Sequence, residues 1–109
     1  MEFTLLEKFV LLCACHVIGD FAFQTAWLAE GKKISWGINA YHAFAYTSPF
    51  VLLLLAPAIG MTVAALAVIA GSHFVIDPLK ARYGIIKWVW LDQFLHVIVL
   101  VALLLFVLT

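Results

Sequence analysis

Every aspartate in the chain stands four residues from a histidine: His16 with Asp20, His73 with Asp77, and Asp92 with His96. The remaining histidine, His42, stands four residues from Tyr46. Gln24 extends the first pair by another four, and Gln93 follows Asp92 directly. On a helix, a spacing of four puts two side chains on one face, roughly 6 Å apart. At that range one side chain can ligate a metal while its neighbour ligates a second ion or orients the first. An imidazole can also give its second ring N–H to a carboxylate, which fixes the tautomer. Imidazole with carboxylate suits zinc, iron or manganese, and the sequence does not distinguish among them. The candidate ligands are His16, Asp20, His42, His73, Asp77, Asp92 and His96. Seven exceed the four of one tetrahedral zinc, so one or two divalent ions are expected.

The elements that carry these residues are unusually apolar. Of 109 residues, 67% are hydrophobic and 11% charged, and the mean hydropathy is +1.17. A soluble domain is nearer ~45–50% apolar and ~25% charged, and a chain this short leaves too much of itself on the surface to hide the excess. These values imply an integral membrane protein of one domain, residues 1–109. A net charge of zero gives no basic footprint for nucleic acid. Glu2, Glu7 and the interruption at Asp20 do not fit a secretory signal. Cys13 and Cys15 lie two apart in the first apolar stretch, so a helix points them apart, and they read as small buried apolar side chains.

A spanning helix needs about 20 mostly apolar residues. Four stretches qualify: roughly Phe3 to Leu28, Ile38 to Leu55, Ile59 to Ile76, and Trp90 to Leu108. Pro49 offers a kink in the second, and Pro78 is expected to end the third. Short connections between successive helices predict an all-α, antiparallel, up-down-up-down bundle of four transmembrane helices. Lys32, Lys33, Lys80, Arg82 and Lys87 lie in the first and third connections, against Lys8 alone on the other side. The positive-inside rule then puts those connections in the cytoplasm and both termini outside, with Trp27, Trp36, Trp88 and Trp90 as an interfacial belt. At ~1.5 Å per residue, Asp20, His42, His73 and His96 each fall roughly 10 Å into the membrane from that side. Polar residues from all four helices therefore share one layer, and they are expected to face the bundle interior.

The stretches "HVIGDFAFQ", "YHAFAY", "HFVIDPLKAR" and "LDQFLH" together resemble a family of small bacterial inner-membrane proteins known as a domain of unknown function. The resemblance covers nearly the whole chain and shows no departure at the polar positions. It implies a bacterial inner-membrane protein of a few helices, and it implies no substrate.

Three functions compete. The first is a metal-dependent hydrolase in the membrane, acting on an amphiphile such as a phosphorylated or esterified lipid at the cytoplasmic leaflet. A metal would bring the pKa of a bound water to near 7 and polarise the scissile group. Asp20 or Asp92 would serve as base, and Tyr46 as proton donor or oxyanion stabiliser. Lys80 and Arg82 at the mouth would hold an anionic head-group, and Gln24 and Gln93 would hydrogen-bond behind the ligands. Each of these also has a plainer role, as a satisfied tyrosine or as positive-inside cations. The second function is a metal-ion or proton carrier using the same cluster, for which the outer half of the bundle offers no polar exit; a homo-oligomer could supply one. The third is a non-catalytic assembly protein with a polar core. Interhelical polar pairs contribute only ~0.6 kcal/mol on average, whereas a carboxylate at a helix centre costs about 2.5–3.5 kcal/mol, so structural glue explains three aspartates poorly. Haem between two facing histidines is disfavoured by the companion aspartates.

Overall fold

A computed structural model describes residues 2–22, 24–81, 83–84 and 88–108, without the side chains of residues 80, 81 and 89. The described residues are helical, with no strand among them. Helix α1 is Leu5–Val17, α2 Ala26–Gly31, α3 Trp36–Val51, α4 Val63–Ala81 and α5 Val89–Phe106. The long helices α1, α3, α4 and α5 pack together in a body 44 × 23 × 22 Å in extent.

Local chemistry sets each boundary. Thr4 and Glu7 form a reciprocal capping box at the start of α1. Thr25, Ser35 and Thr62 accept hydrogen bonds from the first turns of α2, α3 and α4. Gly60, at φ 86°, turns the chain between α3 and α4 through the left-handed region, where a side chain would be strained.

The first apolar stretch is not one helix, as its composition suggests. After Val17 the chain widens into a π turn, Ile18–Ala22, and a separate helix begins at Ala26. Gly19 explains the close packing of this turn: a Cβ there would lie 2.3 Å from the Tyr46 carbonyl oxygen on α3. The π turn, a device found frequently at functional sites, carries Asp20.

Both helix-internal prolines are accommodated by side chains. Pro49 lacks the N–H that would reach Ala45, and the Ser48 hydroxyl donates to that carbonyl instead, at 2.7 Å. Pro78 likewise leaves Phe74 without its intrahelical donor, and Asn39 Nδ2 on α3 supplies one at 3.2 Å. This is why α4 runs through Pro78 to Ala81 rather than ending there, contrary to the sequence expectation. Past Pro49, α3 tightens into a 3₁₀ turn, Leu52–Leu55. The combined stretch Trp36–Leu55 is long and apolar enough to cross a membrane. Val63–Leu79 and Trp90–Phe106 are shorter apolar helices.

The interior is graded along the long axis. Leu12, Phe50, Ile69 and Leu100 belong to one buried apolar cluster. One turn along each helix come His16, Tyr46, His73 and His96, and one further turn brings Asp20, His42, Asp77 and Asp92. All eight of these polar or aromatic residues are buried, whereas Leu55, Phe106 and Phe44 are 82%, 84% and 76% exposed. The interior thus passes from an apolar cluster to a polar layer, while large apolar side chains also cover much of the outside.

The close approach at Gly19 yields a test. Gly19→Ala should destabilise the folded protein by about 1–3 kcal/mol through overpacking. Gly71→Ala, on α4 with open space around the new Cβ, should be neutral or stabilising by up to about 1 kcal/mol. Unfolding midpoints of the two variants in detergent check this; equal midpoints would remove the argument for a tight α1–α3 crossing.

Candidate metal centre

The middle layer is a closed ring of four aromatic side chains, one from each long helix. Tyr46 stacks on His73 with centroids 3.9 Å apart, and His73 on His96 at 4.4 Å. His16 closes the ring against Tyr46 at 5.5 Å and His96 at 5.8 Å. The layer beyond it holds the three carboxylates and His42.

Hydrogen-bond logic assigns protons in this network. The Gln93 side-chain N–H₂ donates to Asp20 Oδ2 at 3.0 Å and to Asp92 Oδ2 at 3.2 Å. Carboxylates only accept, so the amide orientation is fixed. Gln93 Oε1 must then accept from His16 Nε2–H at 2.6 Å. The other nitrogen, His16 Nδ1, is hydrogen-bonded with the Tyr46 hydroxyl at 2.7 Å. One run of hydrogen bonds therefore links Tyr46, His16 and Gln93 to two carboxylates. Both His16 nitrogens are engaged in it, which sets His16 beside the ligand-like groups rather than among them.

The other three histidines are arranged differently. Asp20, His42, His73 and Asp77 each offer one ligand atom, all within 4.8 Å of one another and all buried. His42 Nε2 lies 2.9 Å from His73 Nε2, 3.6 Å from Asp20 Oδ1 and 4.0 Å from Asp77 Oδ2; His73 Nε2 lies 3.7 Å from Asp20 Oδ1. Ligand bonds of about 2.0–2.1 Å in tetrahedral geometry put neighbouring donors about 3.3 Å apart. The separations straddle that value, so the residues fit a small divalent ion. Asp20, Asp92 and His96 form a second group of the same kind. Asp20 belongs to both, on the π turn between them. His42 Nδ1, His73 Nδ1 and His96 Nε2 have no hydrogen-bond partner among the described residues. Buried polar atoms are ordinarily paired; His42 and His73 pair with each other through Nε2 at 2.9 Å, whereas His96 Nε2, which faces Asp92, has no such bond.

Two residues of the site escape sequence reasoning. Lys32, which reads as one of two loop cations, is buried: its Nζ lies 2.9 Å from Asp77 Oδ2 and donates to Gln24 Oε1 at 2.6 Å. Its neighbour Lys33 stays half-exposed beside Glu30. No local signal separates the two lysines. Asn39 does carry a signal: it is a lone amide three residues before His42, on the same helix face. Of the expected anion-holding pair, Arg82 and the side chain of Lys80 lie outside the described residues. Cys13 and Cys15 are free thiols.

No curated protein and no solved structure matches the chain. A family model described as "Protein of unknown function (DUF3307)" matches residues 8–109, a span that includes every histidine and aspartate of the two ligand groups. The chain belongs to that family.

Proposed function

We propose that this protein is a four-span membrane hydrolase with a His/Asp metal centre, acting on an amphiphilic substrate with a phosphate or acyl ester. The observation that carries the reading is the buried meeting of Asp20, His42, His73 and Asp77, with both histidine Nε2 atoms turned toward the carboxylates. The many exposed large apolar side chains support a lipid surrounding, as does a long dimension of 44 Å against the ~40–45 Å of a bilayer with its headgroups. Trp27, Trp36, Trp88 and Trp90 are all exposed near the polar end, as an interfacial belt requires.

A divalent ion would supply Lewis acidity and an acidified water. The chain supplies the rest. Gln93 holds Asp20 and Asp92 in fixed orientation. The ring of His16, Tyr46, His73 and His96, and the apolar layer of Leu12, Phe50, Ile69 and Leu100 above it, close the ligand groups off from the far side. That same closure disfavours an ion or proton carrier, which needs a polar continuation. Asp92 and His96, 3.4 Å apart, are the pair best placed to hold either a second ion or a proton.

Elemental analysis of detergent-purified protein should find a bound divalent ion. Asp20→Ala should empty both ligand groups, His73→Ala the first, and His96→Ala only the second. Full occupancy in Asp20→Ala and His73→Ala would defeat the reading. Gln93→Leu keeps every ligand but loses their orientation, so metal affinity should fall about 10–100-fold, measured by competition with a chromophoric chelator. In membrane vesicles, single cysteines at Lys33 and Tyr83, in a chain with Cys13 and Cys15 replaced by Ala, should be labelled from the same side; labelling from opposite sides would break the four-span topology.

A further inference from the structure

Lys32 brings a positive charge to an atom the metal also needs. Its ammonium sits 2.9 Å from Asp77 Oδ2, the oxygen that faces His42 Nε2 at 4.0 Å within the ligand group. The contact is an ion pair without hydrogen-bond alignment, and Oδ2 has no hydrogen-bond partner among the described residues. Gln24 Oε1 holds the ammonium from behind. A buried ammonium is costly unless paired, and here its charge partner is a prospective ligand. Two consequences follow once an ion occupies Asp77. Lys32 loses its carboxylate, because the ion takes over that oxygen's charge. Lys32 also remains beside the ion, held by Gln24, so two positive centres share a buried space. An anion between them relieves both: a tetrahedral oxyanion can place one oxygen toward the ion and another on the ammonium.

We propose that Lys32 is an anion-binding residue of the centre, and that with the ion it selects a phosphate group, whether on a lipid head-group or free in solution. This rests on the metal reading above and names the substrate class for it. Lysine serves well here as a compact point charge for phosphate.

The test measures Mn²⁺ affinity of the detergent-purified full chain, read by the electron paramagnetic resonance signal of the free ion, with and without inorganic phosphate or phosphatidic acid in the micelle. Lys32→Met removes the competitor. Lys32→Gln, which keeps donors for Asp77 and Gln24 without the charge, guards against a folding defect. Without anion, both variants should bind Mn²⁺ at least tenfold more tightly than the wild type. With anion, the wild type should gain at least tenfold in Mn²⁺ affinity and the variants less than twofold. A gain with inorganic phosphate assigns the site to the free ion; a gain with phosphatidic acid alone assigns it to the lipid. Weaker metal binding in both variants, or an anion-dependent gain that survives in them, overturns the proposal and leaves the metal centre standing. Absence of Mn²⁺ binding in the wild type with and without anion, together with no bound metal by elemental analysis, sinks the metal centre itself and this proposal with it.

Discussion

Three carboxylates buried inside a helical bundle must each find a partner within the protein, since burial takes them away from solvent. The interior is arranged around that demand. Gln93 satisfies Asp20 and Asp92 with one amide, Lys32 answers Asp77, and His42 and His73 bring ring nitrogens toward Asp20. Because the Gln93 amide can point only one way, His16 Nε2 must carry the proton that Gln93 Oε1 accepts.

The backbone pays attention to the same region. Where regular helix would leave a carbonyl without a donor, at Ala45 and Phe74, a Ser48 hydroxyl and an Asn39 amide complete it. Where regular helix would not serve, it gives way: the π turn at Ile18–Ala22 lets Gly19 pass against the Tyr46 backbone and delivers Asp20 to the point where two ligand groups meet. Irregular backbone and buried polar side chains occur together because each supplies what the other lacks.

Much of the site was legible from spacing alone. Histidines with an aspartate or tyrosine four residues away, repeated on separate helices, pointed to Asp20, His42, His73, Asp77, Asp92 and His96, which come together in two groups that share Asp20. The single common depth expected for Asp20, His42, His73 and His96 is instead two layers one turn apart, because His73 and His96 stack with Tyr46. The helices were legible as apolar runs, but their ends were not. Composition cannot distinguish one long helix from α1, a π turn and α2, because Gly19 and Thr25 act through tertiary contact and a single cap. Pro78 reads as a terminator until Asn39, distant in sequence, is seen to compensate it. Lys32 was hidden for the same reason: charge asymmetry describes a loop as a whole and says nothing about which of two adjacent lysines folds inward.

The stepwise order of the interior has a bearing on how the helices find their positions. Along each of the four long elements, counting in the direction of the polar end, an apolar side chain is followed after one turn by an aromatic ring and after another by a polar ligand atom: Leu12, His16, Asp20; Phe50, Tyr46, His42; Ile69, His73, Asp77; Leu100, His96, Asp92. Helices that meet only through apolar faces slide past one another with little to stop them. Here a slip of a single turn, about 5.4 Å, would strand an acid opposite leucine in one place and press imidazole against apolar carbon in another, so the polar ladder acts as a vernier that lets only one alignment of the bundle lock.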